Sequence, residues 1–238
     1  MPVLEAIILY LVLFFPAVFA GVEGGTVIVF SVNRELLHMF VYNIPPLALI
    51  WFLLLPKKNM LTMRTEPAAF LSTLRNAVFS SVSTRINVFM SFILAFFGLL
   101  AISTGGSALS ELLERAAGIS FETDVSLQTP ETVLGWLVLY FSCVSTGYLE
   151  ESFFRFYLSD RLKAYGLYPA MLMSSIGFAF CHVYEGPFGV VNALLAGVFL
   201  FFIFNKRKSG NGMQTLHALA FAHGTYNALI YAAIALNV

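Results

Sequence analysis

Two adjacent carboxylates and one guanidinium close an otherwise apolar stretch of the chain. The stretch from Thr132 to Leu149 contains no Asp, Glu, Lys, Arg or His. Glu150, Glu151 and Arg155 follow this stretch. Ionisable groups in a membrane segment are costly, so they usually face the protein interior or a water-filled cavity and indicate function. On a helix, Glu151 and Arg155 stand four residues apart, in the order that favours an ion pair. Glu150 points about 100° away around that helix, which leaves its carboxylate available for chemistry.

Two histidines and an asparagine are the other polar groups that could join this acid. His182 lies near the end of one apolar segment, and His223 and Asn227 stand four residues apart on one face of another. A hairpin about Gly166 places Glu150 and His182 equally far from the turn, at the same depth. We therefore predict that these side chains converge at one level of a membrane. The alternative interpretation of the charged residues is a purely structural polar lock between helices.

Two further histidines and both cysteines receive no chemical role. A single histidine in an apolar helix is more often a hydrogen-bonded packing residue than a catalyst, and this is our interpretation of His38 and His217. Cys143 and Cys181 lie in apolar segments without CxxC spacing. They are interpreted as buried, inert thiols.

The composition is that of a membrane protein. Hydrophobic residues make up 59% of the 238 residues and charged residues only 11%, whereas soluble domains carry about 25% charged residues. The net charge is zero, and without a basic stripe no nucleic-acid partner is expected.

The apolar segments predict an all-α fold, a polytopic membrane helix bundle of about seven (six to eight) transmembrane helices plus interfacial helices. We divide the chain into residues 1–130, with N-terminal membrane helices and amphipathic connectors, and residues 131–238, a catalytic helical core, within one integral membrane domain. The predicted spans are Leu4–Ala20, Leu36–Leu55, Ile86–Ile102, Pro130–Tyr165, Tyr168–Val183, Phe188–Phe204 and Met213–Val238.

Two amphipathic segments and one helix start are also predicted. A helix beginning at Pro67, within residues 56–85, and a second over Ser107–Ile119 ending at Gly118 have apolar residues on one face, as interfacial helices do. The helix that carries the glutamates is predicted to open with Thr129 as N-cap, before Pro130.

The positive charges predict an orientation. One alternating arrangement of the seven spans puts all but Arg34 and Arg115 of the 13 Lys and Arg residues on one side. By the positive-inside rule this side is the cytoplasm, so the N-terminus is expected inside and the C-terminus outside. The predicted location is a prokaryotic cell (inner) membrane.

Three short motifs together resemble a known family. The motifs, with x for any residue, are Glu150-Glu151-x-x-x-Arg155, Phe178-x-x-x-His182 and His223-x-x-x-Asn227. They resemble those of the CPBP family of intramembrane glutamic endopeptidases, which includes CAAX proteases and bacteriocin-processing (Abi) proteins, and they occur in that family's order over residues 150–227.

The resemblance implies roles for these residues. Glu150 would be the general base, holding a water molecule together with His182, and His223 and Asn227 would donate hydrogen bonds to the oxyanion. The supporting residues would be Glu151, Arg155 and Phe178.

The resemblance also implies a substrate class and the absence of a cofactor. Some family members remove the tripeptide after a prenylated cysteine. The expected substrate is a membrane-associated protein or peptide, lipidated or not, at the lipid bilayer. Neither a metal nor another cofactor is required.

Three alternatives remain open at the level of the sequence. Glu150, His182 and His223 could form a zinc site, although no HExxH motif is present and Asn227 is a poor zinc ligand. The chain could be a non-catalytic membrane scaffold or a bacteriocin-immunity-type protein on the same fold. A transporter would need broken helices at mid-membrane, which only the Pro45-Pro46 pair supports.

Overall fold

The computed structural model describes residues 2–19, 27–28, 30–54, 82–118, 126–208 and 212–236. These residues form helices and one pair of two-residue strands, Val27–Ile28 (β1) and Ser126–Leu127 (β2), which pair in parallel. The predicted all-α class is confirmed. The described helices are α1 (Pro2–Phe19), α2 (Val32–Leu54), α3 (Val82–Ala117), α4 (Val133–Tyr165), α5 (Leu167–Phe180), α6 (Val183–Arg207) and α7 (Met213–Ala235).

Five of the described helices are long and apolar enough to cross a membrane, namely α2, α3, α4, α6 and α7. The apolar part of α1, Val3–Phe14, and helix α5 are shorter. Each of the predicted spans falls on one of these helices, so the polytopic helical bundle is confirmed.

Helix α4 begins three residues later than the predicted cap. Thr132, not Thr129, is the N-cap, and its Oγ1 accepts a hydrogen bond from the Gly135 amide at 3.1 Å. Threonine can cap either position, and the sequence could not tell which of the two would have the extended backbone that a cap requires. The predicted end at Tyr165 is confirmed. The following Gly166 has φ +94°, a conformation that side chains disfavour.

Helix α3 replaces a predicted span and a predicted interfacial helix. The segment from Ser107 is the continuation of α3, which runs without interruption for 36 residues to Ala117. The Gly105–Gly106 pair lies inside this helix, and Asn192 of α6 packs where a Gly106 side chain would be. The other predicted interfacial helix, within residues 56–85, lies outside the described residues up to 81, and from Val82 onward the chain is already α3.

Helices α2 and α4 lie side by side and run in the same direction. Each contains one π-helical stretch, His38–Asn43 in α2 and Ser152–Tyr157 in α4. π-Helical stretches are rare in proteins overall, and those that occur are often found at functional sites. The contacts between the two helices occur in the same order along each helix. Ser142 Oγ donates to Glu35 at 2.6 Å, and Asn43 Nδ2 donates to Ser145 at 2.8 Å. Further along, Trp51 Nε1 donates to Ser152 at 3.3 Å.

Helices α4 and α7 approach closely at two glycines. A Cβ atom on Gly224 would lie 2.4 Å from the Val144 Cα atom, and one on Gly147 would lie 2.7 Å from the Ala220 carbonyl oxygen. Small residues at membrane helix interfaces allow such backbone approach. The crossing lies one turn before Glu151 on α4 and next to His223 on α7, so it places these two side chains within reach of each other.

Candidate active site

Glu151 and Arg155 form the predicted ion pair, and both side chains are 0% exposed. Arg155 Nε lies 3.1 Å from Glu151 Oε2. The guanidinium also stacks on Phe178, with its Cζ atom 4.3 Å from the ring centroid, a contact that stabilises a desolvated cation. Among the described residues no group accepts a hydrogen bond from Arg155 Nη1 or Nη2.

Glu151 has a second partner that the sequence analysis missed. His223 Nδ1 lies 3.0 Å from Glu151 Oε1. An ionised carboxylate can only accept a hydrogen bond, so Nδ1 carries the hydrogen and is the donor. This hydrogen bond fixes the ring, and the opposite nitrogen, Nε2, lies on the side of Glu150.

Glu150 lies at the edge of this arrangement. Its Oε2 atom is 3.6 Å from His223 Nε2, a distance longer than a hydrogen bond. The Glu150 side chain is 14% exposed, whereas the Glu151 side chain has no exposed surface. Of the two neighbouring carboxylates, Glu150 is therefore the more accessible.

His182 lies in the turn after α5, not within a membrane helix as its predicted span to Val183 required. Helix α5 ends at Phe180. After a turn at residues 181 and 182, a short 3₁₀ segment from Val183 to Glu185 begins α6. His182 Nδ1 is 2.9 Å from the Phe178 carbonyl oxygen. A carbonyl only accepts, so Nδ1 donates, and in the neutral ring Nε2 is left as an acceptor.

The ring of Phe178 connects the two histidines. Its centroid lies 4.6 Å from that of His182 and 5.8 Å from that of His223. Asn227 is half-buried on α7, one helical turn beyond His223. Six of the predicted site residues therefore form one connected group: Glu150, Glu151, Arg155, Phe178, His182 and His223. The seventh, Asn227, lies one helical turn from His223 on α7.

The comparison with protein families covers the part of the chain that holds these residues. Residues 132–229 match the family described as type II CAAX prenyl endopeptidase Rce1-like. This part of the chain, the Rce1-like region, is similar to that family. The match confirms the family resemblance, and it contains all three motifs. The chain shows no match among curated proteins or solved structures.

The Rce1-like region holds every predicted site residue, yet α2, which precedes it, supplies polar partners along α4. Asn43 is 2% exposed, and its Nδ2 atom donates to Ser145 Oγ at 2.8 Å and to Thr146 Oγ1 at 3.0 Å. The sequence did not predict this role of Asn43. Its position in an apolar segment was the available signal.

The remaining histidines pack as their sequence context indicated. His217 Nδ1 lies 3.1 Å from the Tyr148 hydroxyl, and His38 Nδ1 lies 3.4 Å from Asn43 Nδ2. Both cysteines are buried as free thiols. Within the described residues of the Rce1-like region and of the helices before it, no three His, Cys, Asp or Glu side chains are grouped so that they could share a metal ion.

Proposed function

We propose that the chain is an intramembrane endopeptidase in which Glu150 activates a water molecule. The Rce1-like match supports a CAAX-protease-type endopeptidase. The observation that carries the assignment to Glu150 is the unequal environment of the two carboxylates. Glu151 is occupied by Arg155 and His223, whereas the Glu150 side chain is partly exposed and has no described hydrogen-bond partner on Oε2.

In the first step Glu150 accepts a proton from water while the water oxygen attacks the carbonyl carbon of the peptide bond. His182, with Nδ1–H bound to the Phe178 carbonyl, accepts a hydrogen bond from the same water through Nε2. Holding the water between two acceptors aligns one of its lone pairs with the substrate, which lowers the entropic part of the barrier.

In the tetrahedral intermediate the former carbonyl oxygen carries the negative charge. His223 has Nδ1–H committed to Glu151, so it donates to this oxyanion through Nε2–H when both ring nitrogens are protonated. The Asn227 amide, one turn away, supplies the second donor. Glu150 then passes its proton to the leaving amine, and the C–N bond breaks.

Arg155 acts through Glu151 and not on the substrate. Its guanidinium lies against Glu151 Oε2 and holds that carboxylate in place, so that Oε1 accepts from His223. Phe178 keeps the guanidinium and both imidazoles against one ring. These two residues are positioning residues.

The proposed substrate is a membrane-associated protein or peptide, and the family description makes a prenylated CAAX C-terminus the first to test. Purified chain in detergent is incubated with a farnesylated CAAX peptide and with its unprenylated counterpart, and mass spectrometry measures release of the last three residues. Cleavage in the presence of a chelator supports the water-activating glutamate. Loss of cleavage on chelation and recovery with zinc would support the zinc alternative.

A cellular comparison addresses the scaffold alternative. Membrane fractions of cells that make the wild-type chain or Glu150→Ala are compared by proteomics. An uncleaved precursor that accumulates only in the variant supports the peptidase and identifies its substrate. Identical membrane proteomes together with a retained cellular phenotype would support a scaffold.

The proposed orientation has the N-terminus in the cytoplasm. It rests on the distribution of Lys and Arg in the sequence. Cysteines introduced at Lys206 and Arg207 should be protected from an impermeant thiol reagent in intact cells, and a cysteine at Glu122 should be labelled. The reverse pattern contradicts the orientation.

A further inference from the structure

A second polar region lies at the end of α4, away from the residues of the candidate active site. A cavity of about 470 Å³ opens between the end of α4, the start of α5 and the end of α6. None of the seven site residues lines it. Its polar lining consists of Ser159, Asp160, Lys163, Asn205 and Lys208.

The charges on this lining do not cancel. Asp160 accepts from Lys163 Nζ at 2.7 Å through one oxygen and from Arg161 Nη1 at 3.0 Å through the other. One carboxylate is thus shared between two cations. Glu5 binds Arg161 at 3.1 Å from outside the lining, so Arg161 is neutralised, and the lining itself carries two ammonium groups against one carboxylate.

Both lysines keep hydrogen-bonding capacity. Lys208 Nζ donates to Asn205 Oδ1 at 2.8 Å, and Lys163 Nζ donates to Asp160. An ammonium group has three donors, and these contacts use one on each lysine. The Lys163 side chain is 73% exposed, so its remaining donors are accessible from the cavity mouth.

The inner part of the cavity is apolar. Phe201 and Phe204 are buried, and Leu54 and Phe156 are half-buried. Lys208 Nζ lies 5.6 Å from the Phe204 ring centroid, so a cation and an aromatic surface meet at one point. A ligand that fits this lining needs an anionic group at the rim and an apolar part at the inner end.

The position of the cavity in the fold restricts the ligand further. It lies at the ends of α4 and α6, which are long enough to cross a membrane, and helix ends of this kind lie at the depth of lipid head groups. Lys206 and Arg207 follow at the same end of α6 and add positive charge there. Basic pockets between membrane helices bind anionic head groups.

We propose that this cavity binds one anionic phospholipid, with its phosphate held by Lys163 and Lys208 and its glycerol and upper acyl region against Phe156 and Phe204. Such a lipid bridges α4, α5 and α6, the helices that carry Glu150 and flank His182. The proposal does not depend on the proposed peptidase activity.

Native mass spectrometry of the full chain tests the proposal directly. Detergent-purified protein is titrated with phosphatidylglycerol, with phosphatidylcholine of the same acyl chains, and with soluble glycerol 3-phosphate. We expect one tightly bound phosphatidylglycerol. Because a lysine near a lipid surface contributes about 1 kcal/mol, the double variant Lys163→Gln with Lys208→Gln should bind it roughly 30-fold more weakly.

Lys206→Gln is the matched control, because it removes one charge at the same helix end without lining the cavity. It should weaken binding by about fivefold at most, the share of one charge near the lipid surface. Ser159→Phe, which fills the cavity without a change in charge, should reduce binding as the double variant does. Equal losses in Lys206→Gln and in the double variant, equal binding of phosphatidylcholine, or full competition by glycerol 3-phosphate would each overturn the proposal.

Discussion

Two buried polar clusters join α4 to its neighbours, and they differ in how completely their groups are paired. In the amide cluster (Asn43, Ser145, Thr146) the described hydrogen bonds use the amide hydrogens of Asn43, and both hydroxyls also donate to the Ser142 carbonyl oxygen. This cluster is neutral, and none of its side-chain atoms is both buried and without a hydrogen-bond partner among the described residues. It resembles the hydrogen bonds that hold membrane helices together.

The charged cluster (Glu150, Glu151, Arg155, His223) is more deeply buried, with only Glu150 partly exposed, but its groups are less completely paired. Glu150 Oε2 and the two Nη atoms of Arg155 have no hydrogen-bond partner among the described residues. Burying unmet polar groups costs about 1–3 kcal/mol each, and more when they are charged. A fold has no structural reason to keep such groups, so the comparison favours docking as the role of the amide cluster and chemistry as the role of the charged one.

The largest stability effect is expected for Arg155→Leu. It leaves Glu151 as an uncompensated buried charge, which costs about 3–5 kcal/mol of unfolding free energy. Arg115→Leu is the matched control, because Arg115 and Glu111 form the same i,i+4 pair with side chains 81% and 67% exposed. That pair should contribute little. Unfolding in detergent micelles measures both, and equal effects would show that burial of the Arg155 pair has no consequence.

Glu151→Gln should destabilise the chain nearly as much, and a second change should recover part of the loss. In Glu151→Gln the Arg155 charge is left unpaired, whereas Glu151→Gln with Arg155→Gln leaves no uncompensated charge. The glutamine at 151 can still accept from His223. Melting temperatures of the single and double variants measure the recovery. A double variant less stable than either single one contradicts the ion-pair interpretation.

Gly224→Ala should cost about 1–3 kcal/mol, because the added Cβ meets the α4 backbone and forces the helices apart. It should also lower peptidase activity, since the Glu151–His223 hydrogen bond spans that crossing. Gly105→Ala is the control: its Cβ meets nothing within 4 Å, so the better helix former should raise stability by up to about 1 kcal/mol. Unaltered activity in folded Gly224→Ala would separate the crossing from the site.

The smallest effect is expected for Asn43→Leu, which removes the amide cluster's bridge at similar side-chain size. Hydrogen bonds between membrane helices contribute about 0.6 kcal/mol on average and about 1.7 kcal/mol at most. Stability should fall by that order, and activity per folded molecule should stay at the wild-type level. A large loss of activity without loss of stability would move Asn43 from docking to chemistry.

Features that depend on spacing along one helix could be predicted from the sequence. The Glu151–Arg155 pair, the end of α4 before Gly166 and the apolar spans follow from periodicity and from residue type. The grouping of Glu150 with His182 and His223 was expected only at the level of depth in the membrane.

Features that depend on packing between helices could not be predicted in the same way. The Glu151–His223 hydrogen bond requires the backbone approach at Gly224, which spacing within α4 does not reveal. The π-helical stretch Ser152–Tyr157 changes the positions of the side chains after Glu151 around the helix axis. No residue type in this stretch predicts a π-helix. Likewise the separate interfacial helix predicted from Ser107 is the continuation of α3.

The most direct test of the central claim is the rate of peptide cleavage per folded molecule in Glu150→Gln and Glu151→Gln, measured side by side. Glu150→Gln keeps the side-chain shape but removes the base, so cleavage should fall by about 10²–10⁴-fold while melting stays near that of the wild type. Glu151→Gln should have a lower melting temperature than the wild type and keep residual activity in its folded fraction. A folded, inactive Glu151→Gln beside a Glu150→Gln that still cleaves would show that the base is the other carboxylate.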